Sequence, residues 1–364
     1  MSRDPGSRKV AIVHDWLIGG GAELVVQELH RMFPDAPIYT SYATDEWRQK
    51  LDNKVVTGYL QNCGKLRKFV PFLRQHWFSH LDLSGYDLVI SSSGAEAKGI
   101  RVDKGATHVN YCHAPTHYYW SRYDEYLENP GFGALNWAAR LGLKLLVGPL
   151  RRWDYKAAQR PDYLIANSGY IKDQIKKYYG REAVVIHPPV PVERFAGSEQ
   201  KRHGFVVAGR QTPYKRFDLA VQACSQLNLP LTVLGKGPDH ARLVSLAGPT
   251  ITFIEQASDK DMEEHFQKAE GFIFGGLDDF GIVAVEAMAA GTPVIAYQDG
   301  GALDYVMPDK TGVFFKEQTV GALAGALQEF QQQTFQPKLI KEAAQDYSPK
   351  HFQRQMKDYL HQLD

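Results

Sequence analysis

Cysteine is scarce in this chain: Cys63, Cys112 and Cys224 are the only three in 364 residues. They are odd in number, far apart and form no Cys-x-x-Cys pair. That excludes a disulfide framework and a thiolate zinc site and points to a reducing compartment. No apolar run approaches the length needed to cross a bilayer. Residues 1–9 are polar and lead into no signal-peptide core, so the expected location is the cytoplasm or the inner face of the plasma membrane. Excess charge of one sign is lacking too. The 42 Lys and Arg against 41 Asp and Glu leave a net charge of +1, so no global field favours nucleic acid as a partner.

What is present is an ordinary globular composition, 44% hydrophobic and 23% charged, at a length that suits two domains. Short apolar runs alternate with longer amphipathic segments, the rhythm of parallel βαβ units. Strands are predicted at 9–14, 37–42, 54–59, 87–92, 108–112, 163–166 and 183–187. A second set is predicted at 205–208, 231–234, 252–254, 271–274, 293–296 and 312–315. Between the sets, His187-Pro188-Pro189-Val190-Pro191 can continue neither a helix nor a central strand and reads as a linker. The expected fold class is therefore α/β, with two doubly wound, Rossmann-like domains whose strand ends face each other across a cleft.

Three loops that follow predicted strands carry chemistry. His14-Asp15-Trp16-Leu17-Ile18-Gly19-Gly20-Gly21-Ala22-Glu23 opens a helix, and Gly20 and Gly21 let backbone approach an oxygen-rich ligand; a bare strand-to-helix turn explains them about as well. The loop is not a G-x-G-x-x-G fingerprint, which disfavours a nicotinamide cofactor. In Gly209-Arg210-Gln211-Thr212-Pro213-Tyr214-Lys215-Arg216, the Arg210 fork and the Lys215 point charge suit a diphosphate, with Arg216 the better candidate for a merely solvated cation. The third loop, 275–281, ends in Asp278-Asp279-Phe280-Gly281 and enters a helix. There the amides of Ile282 and Val283 are expected at the N-terminus, and Glu286 one turn on can accept from ribose hydroxyls. Helix capping by an Asp would account for one acid, not for the whole set. His113, at the end of a strand before Ala114-Pro115, is a further candidate, whereas His108 and His117 are not. Asp259-Lys260-Asp261 spells a metal-binding D-x-D, but Ser258 before it makes a helix cap the better explanation.

Asp278-x7-Glu286 followed by Ala287-Met288-Ala289-Ala290-Gly291-Thr292-Pro293-Val294 resembles the E-x7-E region of the GT4 glycosyltransferases. Gly209-Arg210 with Lys215 resembles their phosphate loop, and Gly20-Gly21-Ala22-Glu23 their N-terminal loop. Asp15-Trp16-Leu17, Tyr111-Cys112-His113-Ala114-Pro115 and Asp279-Phe280-Gly281-Ile282-Val283 look closest to bacterial mannosyltransferases of polysaccharide and lipid-linked glycan assembly. The resemblance implies a GT-B fold, transfer with retention of configuration, and no cofactor or metal. It implies domains at 1–190 and 191–345, with a final helix in 346–364 returning to the first.

By the same resemblance the partners are a nucleotide-sugar, GDP-mannose first and a UDP-sugar second, and a glycan or lipid-linked acceptor. The catalytic candidates are His113, Arg210, Lys215 and Asp278. The donor-binding candidates are Gly20, Gly21, Arg210, Lys215, Gly281, Ile282, Val283 and Glu286. Asp278 stands where the family usually has Glu, one methylene longer, which bears on the donor sugar it was assigned to and not on the phosphates. A UDP-sugar-dependent transferase, a nucleotide-sugar epimerase and a non-catalytic nucleotide-sugar binder are the alternatives. Finally, 65–78 mixes cations with aromatics. Lys65, Arg67, Lys68 and Arg74 are expected to be exposed and to draw this segment to an anionic membrane.

Overall fold

The structure, a computed structural model, describes residues 8–64, 71–128, 130, 133–195 and 201–363. Its chain divides into two compact units, 1–187 with 353–364, and 188–352. The first holds β1 (Val10–His14), β2 (Ile38–Thr40), β3 (Val55–Thr57), β4 (Leu88–Ser93), β5 (Thr107–Cys112), β6 (Tyr163–Ala166) and β7 (Val184–Val185). They pair in parallel in the order β3-β2-β1-β4-β5-β6-β7. The second holds β8 (Phe205–Ala208), β9 (Leu231–Leu234), β10 (Ile251–Ile254), β11 (Gly271–Phe274), β12 (Val294–Tyr297) and β13 (Gly312–Phe315). Their order, β10-β9-β8-β11-β12-β13, repeats that of the first sheet.

Every predicted strand forms. The central ones, β1, β4, β8 and β11, are buried along their whole length, as expected for strands covered by helices on both faces. Shortening falls mainly on β2, β3 and β7, where only the middle of each apolar run finds a partner. In each unit the order reverses beside the first strand, between β1 and β4 and between β8 and β11. Connections there leave in opposite directions and open a crevice at the carboxyl ends. The helix Pro349–Gln362 closes the chain. Its residues from Gln353 onward belong to the first unit, where Gln353 Nε2 donates to Glu28 at 2.7 Å.

Beside β4 and β5 the first unit buries an ion pair. Lys98 Nζ lies 2.7 Å from Asp154, and both side chains are inaccessible to solvent. Asp154 also accepts from Thr116 Oγ1 (2.8 Å), Trp120 Nε1 (2.7 Å) and Tyr179 OH (2.7 Å). One carboxylate thus ties the loops after β4 and β5 to the helices Asn136–Ala158 and Gly169–Tyr179.

The segment 65–78 differs from expectation. Lys65, Arg67 and Lys68 lie outside the described residues. Arg74 is not exposed: it is buried, with Nε 2.9 Å and a terminal nitrogen 3.0 Å from the two oxygens of Glu96. The helix Pro71–Ser79 begins at the proline, but its aromatics divide. Trp77 and Phe78 enter the core while Phe72 and Leu73 stay exposed. Two hydrogen bonds to the Glu96 carboxylate offset the cost of taking the guanidinium out of water, and sequence position alone does not reveal that partner.

The Asp154 cluster leads to a stability prediction. Asp154→Ala strands a buried ammonium and three donors, and should cost about 3–5 kcal/mol in urea unfolding. Lys98→Met should cost less, because Asp154 keeps three neutral donors. An equal or smaller loss in Asp154→Ala would contradict this ranking.

Candidate functional site

In the second unit, the loops after β8 and β11 meet at the crevice. Gly276 makes the approach possible: a Cβ there would lie 2.8 Å from the Cα of Lys215. The contact brings Lys215 Nζ within 3.3 Å of Asp278 Oδ2, with both side chains about four-fifths buried. A narrow crevice lined by Lys215, Phe217, Gly275, Gly276 and Asp278 opens between them. Arg210 is exposed on the same loop. Arg216, by contrast, is not a free surface cation. At φ +53° it bonds Asp218 and Gln318, and Gln318 in turn bonds Gly275 O at 2.9 Å, which fastens the two loops together.

Gly281 caps the helix Ile282–Ala289 at φ +93°. A Cβ there would sit 2.5 Å from the Phe274 ring and 2.6 Å from the Tyr305 hydroxyl, so no other residue fits. The cap uses no side chain, and Gly281 O takes the amide of Ala284 at 3.0 Å. The amides of Ile282 and Val283 donate to no group among the described residues, as at a helix start open to an anion. Glu286, one turn on, is half-buried. Burial raises its carboxyl to about pKa 7, with Asp259 adding to the rise and Arg194 opposing it. Asp259 and Asp261 have other partners. Ser258 and Asp261 make a reciprocal capping box, and Asp259 lies 3.2 Å from Arg194.

In the first unit, Gly20 and Gly21 are exposed at the start of the helix Ala22–Met32. Glu23 holds their loop, accepting from the amides of Ile18 (3.1 Å) and Gly19 (2.9 Å). His113 is half-buried, and its Nε2 lies 2.7 Å from Ser92 Oγ. Ser92 is shared, since His14 Nδ1 donates to its carbonyl at 2.8 Å. Asp15 underlies the crevice, buried and accepting from the amides of Gly94, Ala95 and Ala97 at 2.7–2.9 Å. His108 is fully buried and held neutral, near pKa 3, chiefly by desolvation; it faces Ser91. A separate cavity of about 650 Å³ lies at the amino ends of β1 and β4, away from every motif residue.

Sequence reasoning thus named Arg210, Lys215, Asp278, Gly281, Ile282, Val283 and Glu286, which the fold brings to one edge of the second sheet. It assigned Asp278 to the donor sugar rather than to the phosphates; in the structure the acid also accepts from Lys215. It missed Ser92 as the partner of His113, and it missed Gly301. The amide of Gly301 donates to Asp278 O at 2.9 Å and braces the third loop. The Gly300-Gly301 pair in the loop after the predicted strand 293–296 was the available signal.

Two doubly wound units of this topology are a GT-B architecture. Residues 19–194 match the model described as Glycosyltransferase Family 4, and residues 190–347 the model described as Glycosyl transferases group 1. Between them these span nearly the whole chain, which belongs to the GT4-type glycosyltransferases. A D-inositol 3-phosphate glycosyltransferase of Streptomyces avermitilis is 28% identical over 205 residues, 46% of this chain and 44% of that protein. A GDP-mannose-dependent alpha-mannosyltransferase of Mycobacterium tuberculosis is 36% identical over 111 residues, 30% of this chain and 29% of that one. The chain therefore spans less than half the length of these curated relatives. Among solved structures, Anabaena Alr3699/HepE in complex with UDP and glucose superposes with a TM-score of 0.67 at 17% identity, covering 97% of this chain and 99% of that one. Sucrose-phosphate synthase of Thermosynechococcus elongatus gives 0.70 at 18%, covering 98% and 99%.

Glu286 carries a pH prediction. A carboxyl raised from about 4.5 to about 7 stabilises the folded protein in its neutral form below pH 4.5, and that stability is lost as pH rises toward 7. Glu286→Gln removes the charged form. It should match the wild type at pH 4 and exceed it at pH 8 by about 2 kcal/mol in thermal unfolding. A variant less stable than wild type at pH 8 would refute the assignment of a strained carboxylate.

Proposed function

We propose that the protein transfers a sugar, with retention and without a metal or other cofactor, from a nucleotide-diphosphate donor to a glycan or lipid-linked acceptor. The observation that carries this reading is the convergence at the end of β8 and β11. Two cations, two helix amides that no described group takes up, and a carboxylate disfavoured by burial gather there. Glu286 suits the ribose hydroxyls, which would relieve its desolvation by donating to the carboxylate. Arg210, Lys215 and the amides of Ile282 and Val283 suit the diphosphate. Charge grows on that group as it leaves, so fixed donors there stabilise the transition state more than the bound substrate. The first unit takes the acceptor, with the Gly20-Gly21 loop and His113 at the crevice of its own sheet.

Asp278 has two tasks in this reading. It contacts the donor sugar, and it holds Lys215 in place while partly neutralising it. The shorter Asp side chain keeps its carboxylate beside the ammonium. GDP-mannose is the proposed donor, supported by the mannosyltransferase named above, and an anionic membrane surface is a proposed partner. Release of nucleotide diphosphate from GDP-mannose only when an acceptor glycan is supplied is the expected result. Conversion of the donor to an epimer with no acceptor present would replace this reading with an epimerase.

Arg210→Ala and Lys215→Ala should each lower turnover at saturating donor by about two to three orders of magnitude. Weaker binding with unchanged turnover would deny both residues a role in stabilising the leaving charge.

Asp278→Ala should also lose turnover but bind nucleotide diphosphate as tightly as wild type or several-fold more tightly, because Lys215 loses its competing anion. Titration calorimetry reads this directly. Asp278→Glu, if the pocket merely tolerates Asp, retains activity with the same donor; undiminished transfer by Asp278→Ala would remove the sugar contact.

A further inference from the structure

The helix Asn136–Ala158 is 23 residues long and contains Pro149, which has no amide hydrogen to donate. The two sides of the proline behave differently. Beyond it, Leu150, Asp154, Ala157 and Ala158 are buried, and Trp153 packs over Gly99. Before it, 136–149 buries no residue. At i, i+4 and i+8, Trp137, Leu141 and Leu145 are 67%, 52% and 69% exposed, and Leu135 just ahead is 61% exposed. This spacing sets one apolar stripe on the helix side away from Leu150, Asp154 and Ala157. Four large side chains bared together on one short stretch exceed the scattered exposure normal for a surface.

The charge on the same stretch is of one sign. From Asn129 to Trp153 the chain carries Arg140, Lys144, Arg151 and Arg152 and no Asp or Glu. Arg140, Lys144 and Arg152 are exposed. Arg140 also reaches the carbonyls of Leu127 (2.9 Å) and Glu128 (2.5 Å), and Arg151 the carbonyl of Tyr119 (2.6 Å). A second copy docked through this stripe would bring eight cations together without an acid to pair them. An anionic bilayer answers both features, taking Trp and Leu side chains below its headgroups and Lys and Arg at their level.

We propose that residues 135–152 are the surface by which the protein docks on an anionic lipid membrane. The stripe inserts at the interface without spanning; no helix among the described residues is long and apolar enough to cross. This inference does not rest on the transferase reading.

Flotation of the full chain with vesicles of phosphatidylglycerol and phosphatidylcholine tests it. Binding should be strong at low salt, fall with added salt, and be weak on pure phosphatidylcholine. Replacing Trp137, Leu141 and Leu145 together by Ser should reduce partitioning at least about tenfold. Lys144→Ser with Arg152→Ser should reduce it by a similar factor on anionic vesicles only. All five side chains are exposed, so thermal unfolding should be unchanged in both variants, and that measurement separates lost docking from lost folding. Brominated lipid should quench wild-type fluorescence by an increment that disappears in Trp137→Phe. Wild-type protein left in the soluble fraction at low salt, or variants that float as well as wild type, would overturn the proposal. So would a concentration-dependent dimer abolished by the Ser substitutions, which would make the stripe a contact between copies.

Discussion

A parallel sheet built outward from a central strand must reverse its winding somewhere, and both sheets of this protein reverse beside their first strand. At β1/β4 and β8/β11 the connections leave to opposite faces, so backbone cannot fill the space beyond the strand ends. The motif loops are the chain's route around these gaps. Their positions follow from topology, and their composition follows from how close they must pass. Lys215 and Asp278 are 63 residues apart, yet they meet because glycine at 276 lets two backbones come within reach.

Carboxylates around these crevices fall into two kinds. Asp15, Glu23 and Asp154 have their oxygens taken up by backbone amides or buried donors, and they serve as fasteners for loops. Glu286 has no such donors among the described residues and is held in a setting that disfavours its charge. Burial of an acid without partners lowers stability, and this one stands one turn from two helix amides that no described group takes up. The same contrast separates Arg74, consumed by Glu96, from Arg210, which stands exposed.

Much of this was legible in the chain. Thirteen apolar runs corresponded to thirteen strands because buried parallel strands need continuous apolar sequence, a signal that survives without tertiary knowledge. The Ser258–Asp261 cap was legible for a related reason, since its partners are three residues apart. Contacts between distant segments were harder. Nothing near Arg74 in sequence announces Glu96, and nothing near His113 announces Ser92. The spacing of Trp137, Leu141 and Leu145 is the same as that of a buried helix face, and only their exposure sets them apart.

The sequence by itself determined the two doubly wound units, the loops that carry chemistry and the helix start at Ile282, because hydrophobic period, glycine and proline act over a few residues. Tertiary structure alone decided which charges are spent and which remain. It paired Lys215 with Asp278, closed Arg74 against Glu96, left Glu286 strained and bared one side of a long helix. The physical reason is that solvation and charge pairing depend on distances through space, and residues far apart in the chain set those distances only once the backbone has folded.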